Sequence, residues 1–81
     1  GAWKRPRAKI EGKVLNVAKE DDGDIHFIVS DGGKTVICEI IPELPLPRPK
    51  KGMVVVVWGI VREDRLHGWW EIHPVTGWTL K

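Results

Sequence analysis

The strongest constraint on this chain is the segment of residues 53–75, in which two apolar runs flank a charged turn. The first run, MVVVVWGIV, is dominated by residues branched at Cβ, which favour strands and disfavour helices. The second run, WWEIHPV, alternates apolar with polar side chains, as a half-buried strand does. The segment therefore predicts a long β-hairpin whose turn is formed by residues 62–68.

Three earlier apolar segments predict three further strands. They span residues 8–19, 25–30 and 35–41. In the first segment the larger apolar residues stand at even-numbered positions up to Val14 and at odd-numbered positions after it, and Gly12 comes shortly before the change. A strand shows this pattern when a bulge bends it over a core. Asp-Gly and Gly-Gly pairs between the segments support the positive φ angles of tight turns. Residues 76–81 are expected to form a tail.

A Pro-rich connection, PELPLPRPKKG at residues 42–52, separates the third segment from the closing hairpin. Proline is excluded from helix interiors and central strands, so this connection is a stiff loop. A three-strand meander followed by a hairpin matches the five-stranded OB-fold barrel, with this loop in place of the helix between strands three and four. An SH3-like barrel is the main alternative. We predict an all-β chain, with residues 1–7 as a basic N-terminal arm and residues 8–81 as a single OB-fold-like domain.

The composition limits the class of protein. The 81 residues suffice for one domain, and the net charge of +2 is unevenly distributed. Residues 1–19 hold six basic residues against one acid, whereas residues 20–31 hold five acids and no base. This predicts a basic arm and an acidic loop instead of a uniformly basic surface. The absence of glutamine and the single asparagine are a thermophile-like bias.

Cys38 is the only cysteine, and it lies within an apolar run. We expect it to be a core residue without a disulfide, which is typical of a cytoplasmic protein. No apolar stretch approaches the roughly 20 residues of a membrane-spanning helix, so no membrane association is expected.

Several short motifs occur in a fixed order along the chain. They are D-G-D-x-H at residues 22–26, Glu39 shortly before Pro42, V-x-G-I at residues 57–60 and E-I-H-P-V at residues 71–75. This order resembles that of a widespread, uncharacterised group of small bacterial domains with D-G-D-x-H and E-[IL]-H-P-V motifs, which usually sit in larger secreted or enzymatic chains. The resemblance covers residues 20–75 and implies an OB-fold-like barrel in which the polar motif residues matter. The chain departs from that pattern in its shorter connection after strand three and its Trp-Trp pair.

The Asp22-Gly23-Asp24 turn is also similar to the D-G-D-T motif of staphylococcal-type nucleases, which are OB-folds. Here Ile25 replaces the threonine, and strand three offers no arginine beside Glu39. Nuclease activity is therefore not expected. The Asp-Gly-Asp segment is interpreted as a sequence that favours a tight turn, with a calcium or magnesium site as the lesser alternative.

Four polar residues are expected to converge on the outer face of the barrel, because strand three of an OB-fold lies between strands two and five. They are His26, Glu39, Glu71 and His73. Hydrogen bonds that lock the hairpin onto the sheet are the favoured role. Direct ligand contact is an alternative, and whether the four bind zinc or another divalent ion is left open.

Five tryptophans and a set of basic residues suggest a nucleic-acid interface, since bases stack on exposed aromatic rings and cations contact phosphates. Because side chains alternate between the two faces of a strand, Trp58 and Trp70 are expected to be on the buried faces of their strands. The candidates for stacking are Trp69, Trp3 and Trp78, although Trp3 and Trp78 could instead cap the barrel ends. The candidates for phosphate contact are Arg5, Arg7, Lys9, Arg62 and Arg65. A solvated charged surface is the alternative interpretation of the cations.

Three functional hypotheses follow. The leading one is a small OB-fold module that binds single-stranded nucleic acid, with single-stranded DNA as the first expectation and with no cofactor. The second is a protein-interaction or accessory domain whose Pro-rich loop at residues 42–49 and tryptophan face meet a partner. The third is a metal-dependent hydrolase that uses the His/Glu cluster. Because no nucleophile–base pair of the Ser/His/Asp or Cys/His kind is recognisable, a non-enzymatic role is favoured.

Overall fold

Five β-strands make up the fold of the computed structural model, which describes residues 5–81. They are β1 (Arg7–Lys19), β2 (Ile25–Asp31), β3 (Lys34–Ile40), β4 (Val54–Asp64) and β5 (Trp69–Leu80). The predicted tail after residue 75 is wrong, because β5 continues to Leu80 and pairs with β4 as far as Val55. No helix is present within the described range, and so none that could cross a membrane.

The strands close into a barrel in the order β1-β2-β3-β5-β4, with β4 returning to β1. All neighbouring pairs are antiparallel except β3 and β5, which pair in parallel through Ile37↔Glu71 and Cys38↔Ile72. The Pro-rich connection between β3 and β4 contains no helix. The predicted five-stranded OB-fold-like barrel, with a loop in place of the usual helix, is therefore confirmed.

β1 belongs to both halves of the barrel because it bends. Its pairing with β2 shifts register between Val14 and Asn16, which places a bulge at Leu15. Gly12 precedes the bend, and a Cβ atom there would overlap the carbonyl oxygen of Ser30 and lie 2.9 Å from Cγ1 of Val29. The bend predicted from the apolar parity is therefore real, and it requires glycine where β1 and β2 approach closely.

The core is filled mainly by β-branched side chains around Phe27. Its members are Val14, Phe27, Val29, Cys38, Ile40, Val55, Val57, Ile72 and Val75. Cys38 is completely buried, as expected, and this burial raises the pKa of its thiol to about 12. The Pro-rich connection packs on the barrel, since Pro49 is buried and Trp78 donates its indole N–H to the carbonyl of Pro47 at 2.7 Å.

The predicted burial of Trp58 and Trp70 is wrong. Trp58 is 40% exposed because the smaller neighbours Val57 and Gly59 occupy the inward positions of β4. Trp70 is 60% exposed because it precedes Glu71, the residue at which β5 joins β3, and so lies on a part of the hairpin that extends beyond the barrel. The interior is already filled by small branched residues, which leaves the large indoles outside.

Candidate functional site

The polar residues predicted on strands two, three and five do converge. His26 and Glu39 are cross-strand partners, and Nδ1 of His26 lies 3.8 Å from Oε1 of Glu39. Nε2 of His73 lies 3.3 Å from Oε2 of the same glutamate. Glu39 is therefore the centre of a cluster that joins three strands.

Glu71 belongs to the same cluster but is only 5% exposed. Its Oε1 accepts hydrogen bonds from Nε of Arg62 at 3.0 Å and from Nη2 of Arg62, while its Oε2 accepts the indole N–H of Trp69 at 3.3 Å. Nη2 of Arg62 also lies 4.0 Å from Oε2 of Glu39. Arg62, which was expected to contact phosphate, is thus held by two carboxylates. An arginine does therefore lie beside Glu39, but β4 supplies it and not strand three.

Two acidic residues of the first turn complete the cluster, and the sequence analysis did not include them. Oδ2 of Asp24 lies 3.5 Å from Nε2 of His73, and Oε1 of Glu20 lies 3.0 Å from Nδ1 of His26. The backbone N–H of Asp24 donates to Oδ1 of Asp22 at 3.0 Å, so the Asp-Gly-Asp segment also performs the expected turn role. Asp24 was considered only as part of the Asp-Gly-Asp turn and of the D-G-D-x-H motif, and neither pattern placed it beside His73.

The electrostatics of the cluster are governed by crowded carboxylates. Burial raises the pKa of Glu39, and the negative charges of Glu71 and Asp24 raise it further, against the opposing influence of His73 and His26. The guanidinium of Arg62 is the only side chain in the cluster that is cationic at every physiological pH. The cluster therefore favours a proton or a cation near Glu39.

A groove on the outer face of β1, β4 and β5 combines an aromatic ring with two cations. We call it the Trp58 groove; its volume is about 500 Å³, and it is lined by Arg7, Ala8, Lys9, Trp58, Gly59, Thr76 and Gly77. Lys9 and Trp58 are cross-strand partners, and Trp58 also pairs with Gly77 of β5. Within residues 5–81 no carboxylate lies within 4.0 Å of the charged group of Arg7 or Lys9. Trp58 is the one residue of this groove that sequence reasoning placed in the core.

A second groove, here the Trp69–Trp70 groove, lies on the outer face of β2 and β3. Its volume is about 320 Å³, and it is lined by Ile28, Thr35, Ile37, Trp69 and Trp70. The imidazole of His67 stacks on the indole of Trp69, with centroids 4.5 Å apart and planes inclined by 7°. This groove is apolar, one face of Trp69 is already covered, and Glu71 lies against its indole nitrogen.

The other predicted site residues are dispersed. Arg65 is on the turn of the β4–β5 hairpin, where its side chain is 90% exposed and pairs with Glu63. Trp78 packs against the core, which agrees with the capping alternative. Arg5 is exposed, and the carbonyl of the following Pro6 accepts the N–H of Val61 at 2.8 Å, so the end of the predicted arm runs along β4. Trp3 lies outside the described residues.

No model of a known protein family matches this chain, and no curated protein matches it. The resemblance to the group of small bacterial domains therefore stays a prediction. The chemistry of the two grooves and of the carboxylate–histidine cluster is the basis for inferring function.

Proposed function

We propose that the protein is a small OB-fold module that binds single-stranded nucleic acid through the Trp58 groove. The observation that carries the proposal is the pairing of a 40% exposed indole with two cations, Lys9 across the strand pair and Arg7 beside it. An exposed aromatic ring offers a stacking platform for a base, worth about 1–3 kcal/mol per base. The neighbouring cations attract the phosphates on either side of that base.

The charge distribution supports this groove over the β2–β3 face that OB-folds commonly use. Next to the Trp69–Trp70 groove stand the carboxylates of Glu39 and Glu71, which repel a phosphate backbone. Arg62 is not free to bind phosphate there, because its guanidinium is already held by those two carboxylates. In the proposal, Trp58 therefore replaces Trp69 as the stacking residue, and Arg7, Lys9 and the adjacent Arg5 supply the phosphate contacts.

A specific observation also supports the second hypothesis, a protein-interaction domain. The Trp69–Trp70 groove is apolar, Trp70 is 60% exposed, and Leu66 on the adjoining hairpin turn is 90% exposed. Tryptophan is enriched among the residues that dominate protein–protein binding energies. A partner of this kind would occupy the face that repels nucleic acid, so the two functions use different surfaces.

The salt dependence of oligonucleotide binding tests the leading proposal. A fluorescein-labelled single strand of about 15 nucleotides is titrated with the protein at about 50 and about 200 mM salt, and anisotropy is measured. Contact with about three phosphates predicts a loss of about twentyfold in affinity between these conditions, because releasing the same counterions into more concentrated salt gains less entropy.

The same titration separates the two candidate functions. If no complex forms at about 50 mM salt, nucleic-acid binding is overturned. Binding that is tight but independent of salt equally contradicts a role for Arg7 and Lys9. Light scattering on the protein alone then reports whether a second copy binds, and Trp70→Ala should abolish that association if the Trp69–Trp70 groove is the surface involved.

A further inference from the structure

Asp24, Glu39 and His73 bring three potential ligand atoms together from separate parts of the chain. Nε2 of His73 lies 3.5 Å from Oδ2 of Asp24 and 3.3 Å from Oε2 of Glu39, and all three atoms lie within 4.8 Å of one another. Ligands bound at about 2.0–2.1 Å to a tetrahedral metal ion are about 3.3 Å apart. We propose that these three residues form a binding site for a divalent metal ion of the zinc type.

The barrel positions these ligand atoms firmly. Glu39 is on β3 and His73 on β5, and the turn before β2 provides Asp24, whose backbone carbonyl accepts the N–H of Glu20 at 2.8 Å. The side chains of Asp24 and Glu39 are each 13% exposed and that of His73 is 21% exposed. They are therefore held by packing yet open to an ion from solvent. A site assembled on strands binds with little loss of side-chain entropy.

Charge gives a second, independent reason for a cation here. Asp24 and Glu39 lie beside a third carboxylate, that of Glu71, whose Oε1 takes two hydrogen bonds from Arg62. The other nitrogen groups beside these carboxylates are the imidazoles of His26 and His73. A divalent ion would neutralise two half-buried carboxylates at once and remove the repulsion between them.

The donor set indicates which ions fit. One imidazole nitrogen with two carboxylate oxygens suits zinc and its first-row neighbours, whereas calcium and magnesium prefer oxygen ligands alone. Three protein ligands leave a fourth position for water or a small ligand, unlike a closed structural site. His26 stands behind Glu39, at 3.8 Å from its other oxygen, where it can orient the carboxylate.

Two neighbouring arrangements are weaker. Glu71, which the sequence suggested as a ligand, is occupied because both of its oxygens accept hydrogen bonds, from Arg62 and from Trp69. The set Glu20, His26 and Glu39 also brings three ligand atoms within 4.8 Å. However, the side chain of Glu20 is 45% exposed, and His26 is farther from Glu39 than His73 is.

Calorimetric titration of the chelator-treated, untagged chain with zinc chloride tests the site. We expect one equivalent of zinc to bind, and cobalt(II) at the same position to give the visible absorption of a tetrahedral complex. Failure to bind either ion at about 100 µM overturns the proposal, and so does a preference for magnesium over zinc.

Variants then locate the ion. His73→Gln and Asp24→Asn should each weaken zinc binding at least tenfold, with circular dichroism confirming that each variant is folded. His67→Gln is the matched control, since this histidine lies on the turn between β4 and β5 and pairs with Asp64 instead of with a proposed ligand, and it should leave the affinity unchanged. Zinc affinity that falls in His26→Gln but not in His73→Gln or Asp24→Asn would assign the ion to the Glu20 set and refute the proposed ligands.

Discussion

The guanidinium of Arg62 donates to Oε1 of Glu71 through Nε at 3.0 Å, and this contact joins two strands at the most crowded charge cluster of the barrel. Glu71 is 5% exposed, so its carboxylate depends on this donor for most of its compensation. The same guanidinium lies 4.0 Å from Glu39, which couples the β4–β5 hairpin to β3. Arg62 is therefore a structural residue whose removal affects the sheet before it affects any ligand.

Replacing Arg62 by alanine tests this structural role. Arg62→Ala leaves the buried Glu71 carboxylate without its cation and should lower the free energy of unfolding by about 2 kcal/mol, measured by urea denaturation. The matched control is Arg65→Ala, because Arg65 pairs with Glu63 at the surface and its loss should change stability by no more than about 0.5 kcal/mol. Equal losses in the two variants would contradict the role of Arg62.

The close approach of β1 and β2 predicts a second effect on stability. In Gly12→Ala the new Cβ atom would overlap the Ser30 carbonyl, so the two strands must separate. We expect a loss of about 3 kcal/mol in the free energy of unfolding. Gly77→Ala is the control, since its Cβ atom would make an ordinary contact at 3.9 Å from Cε3 of Trp58. A Gly12→Ala variant as stable as Gly77→Ala would show that the bend of β1 tolerates a side chain.

Stacking on Trp58 makes a prediction for binding. Trp58→Ala should weaken oligonucleotide affinity by about 1–3 kcal/mol, which is roughly 5- to 150-fold, with the melting temperature checked because the ring is only partly buried. Trp70→Ala, which removes another exposed indole from the Trp69–Trp70 groove, should leave the anisotropy titration unchanged. The reverse result would place the nucleic acid on the β2–β3 face.

Cys38 should be inert to thiol reagents in the folded protein. Burial raises the pKa of this thiol to about 12, so the reactive thiolate is almost absent at about pH 8, and the sulfur is also inaccessible. Ellman's reagent should therefore label no thiol in native buffer and one thiol per chain in denaturant. Rapid labelling under native conditions would mean that the barrel opens around β3 far more often than its packing suggests.

The hairpin turn predicts a pH dependence. A hydrogen bond from the side chain of His67 lowers the pKa of Asp64 in the folded chain, opposed by desolvation and helped by the backbone N–H groups of His67 and Leu66. Because its pKa is lower in the folded chain, the ionised Asp64 carboxylate stabilises the fold at pH values above its unfolded pKa of about 3.9. This stabilisation is lost as the pH falls through the folded pKa.

Asp64→Asn is the variant that measures this contribution. The wild-type protein should be more stable than Asp64→Asn at about pH 6, with the difference in urea midpoint shrinking below about pH 4 and vanishing once Asp64 is protonated in the folded chain as well. A difference that stays constant over this range would exclude ionisation of Asp64 as its source.

Much of the fold could be predicted because it depends on local patterns. Alternation of apolar residues placed β2 and β3 within one residue of their observed ends, and the parity change after Val14 located the bend of β1. The convergence of His26, Glu39 and His73 followed from strand order once the OB-fold topology was assumed. These predictions needed only the period of a strand and the order in which strands pair.

The tryptophans and Arg62 could not be assigned in this way. Alternation along a strand shows which side chains share a face, but it does not show where the strand extends beyond the barrel. Trp70 shares a face with a core residue of β5 yet lies beyond the barrel, so it is exposed. Nor does alternation show that Arg62 lies across from a buried glutamate nine residues later. The first fact depends on where β5 joins β3, and the second on the register of β4 against β5.

The amino-acid sequence by itself determined the strands as far as residue 75, their turns and the loop that replaces a helix, because these follow from Cβ branching, alternation and the limits that proline imposes. Only the tertiary structure decided which charges meet and which indoles stay exposed. Closing the barrel brought Asp24 to His73 and Arg62 to Glu71, and it filled the interior with valine, leaving Trp58 outside beside Lys9. The physical reason is that pairing between distant strands sets side-chain distances, whereas local sequence sets only the direction in which each side chain points.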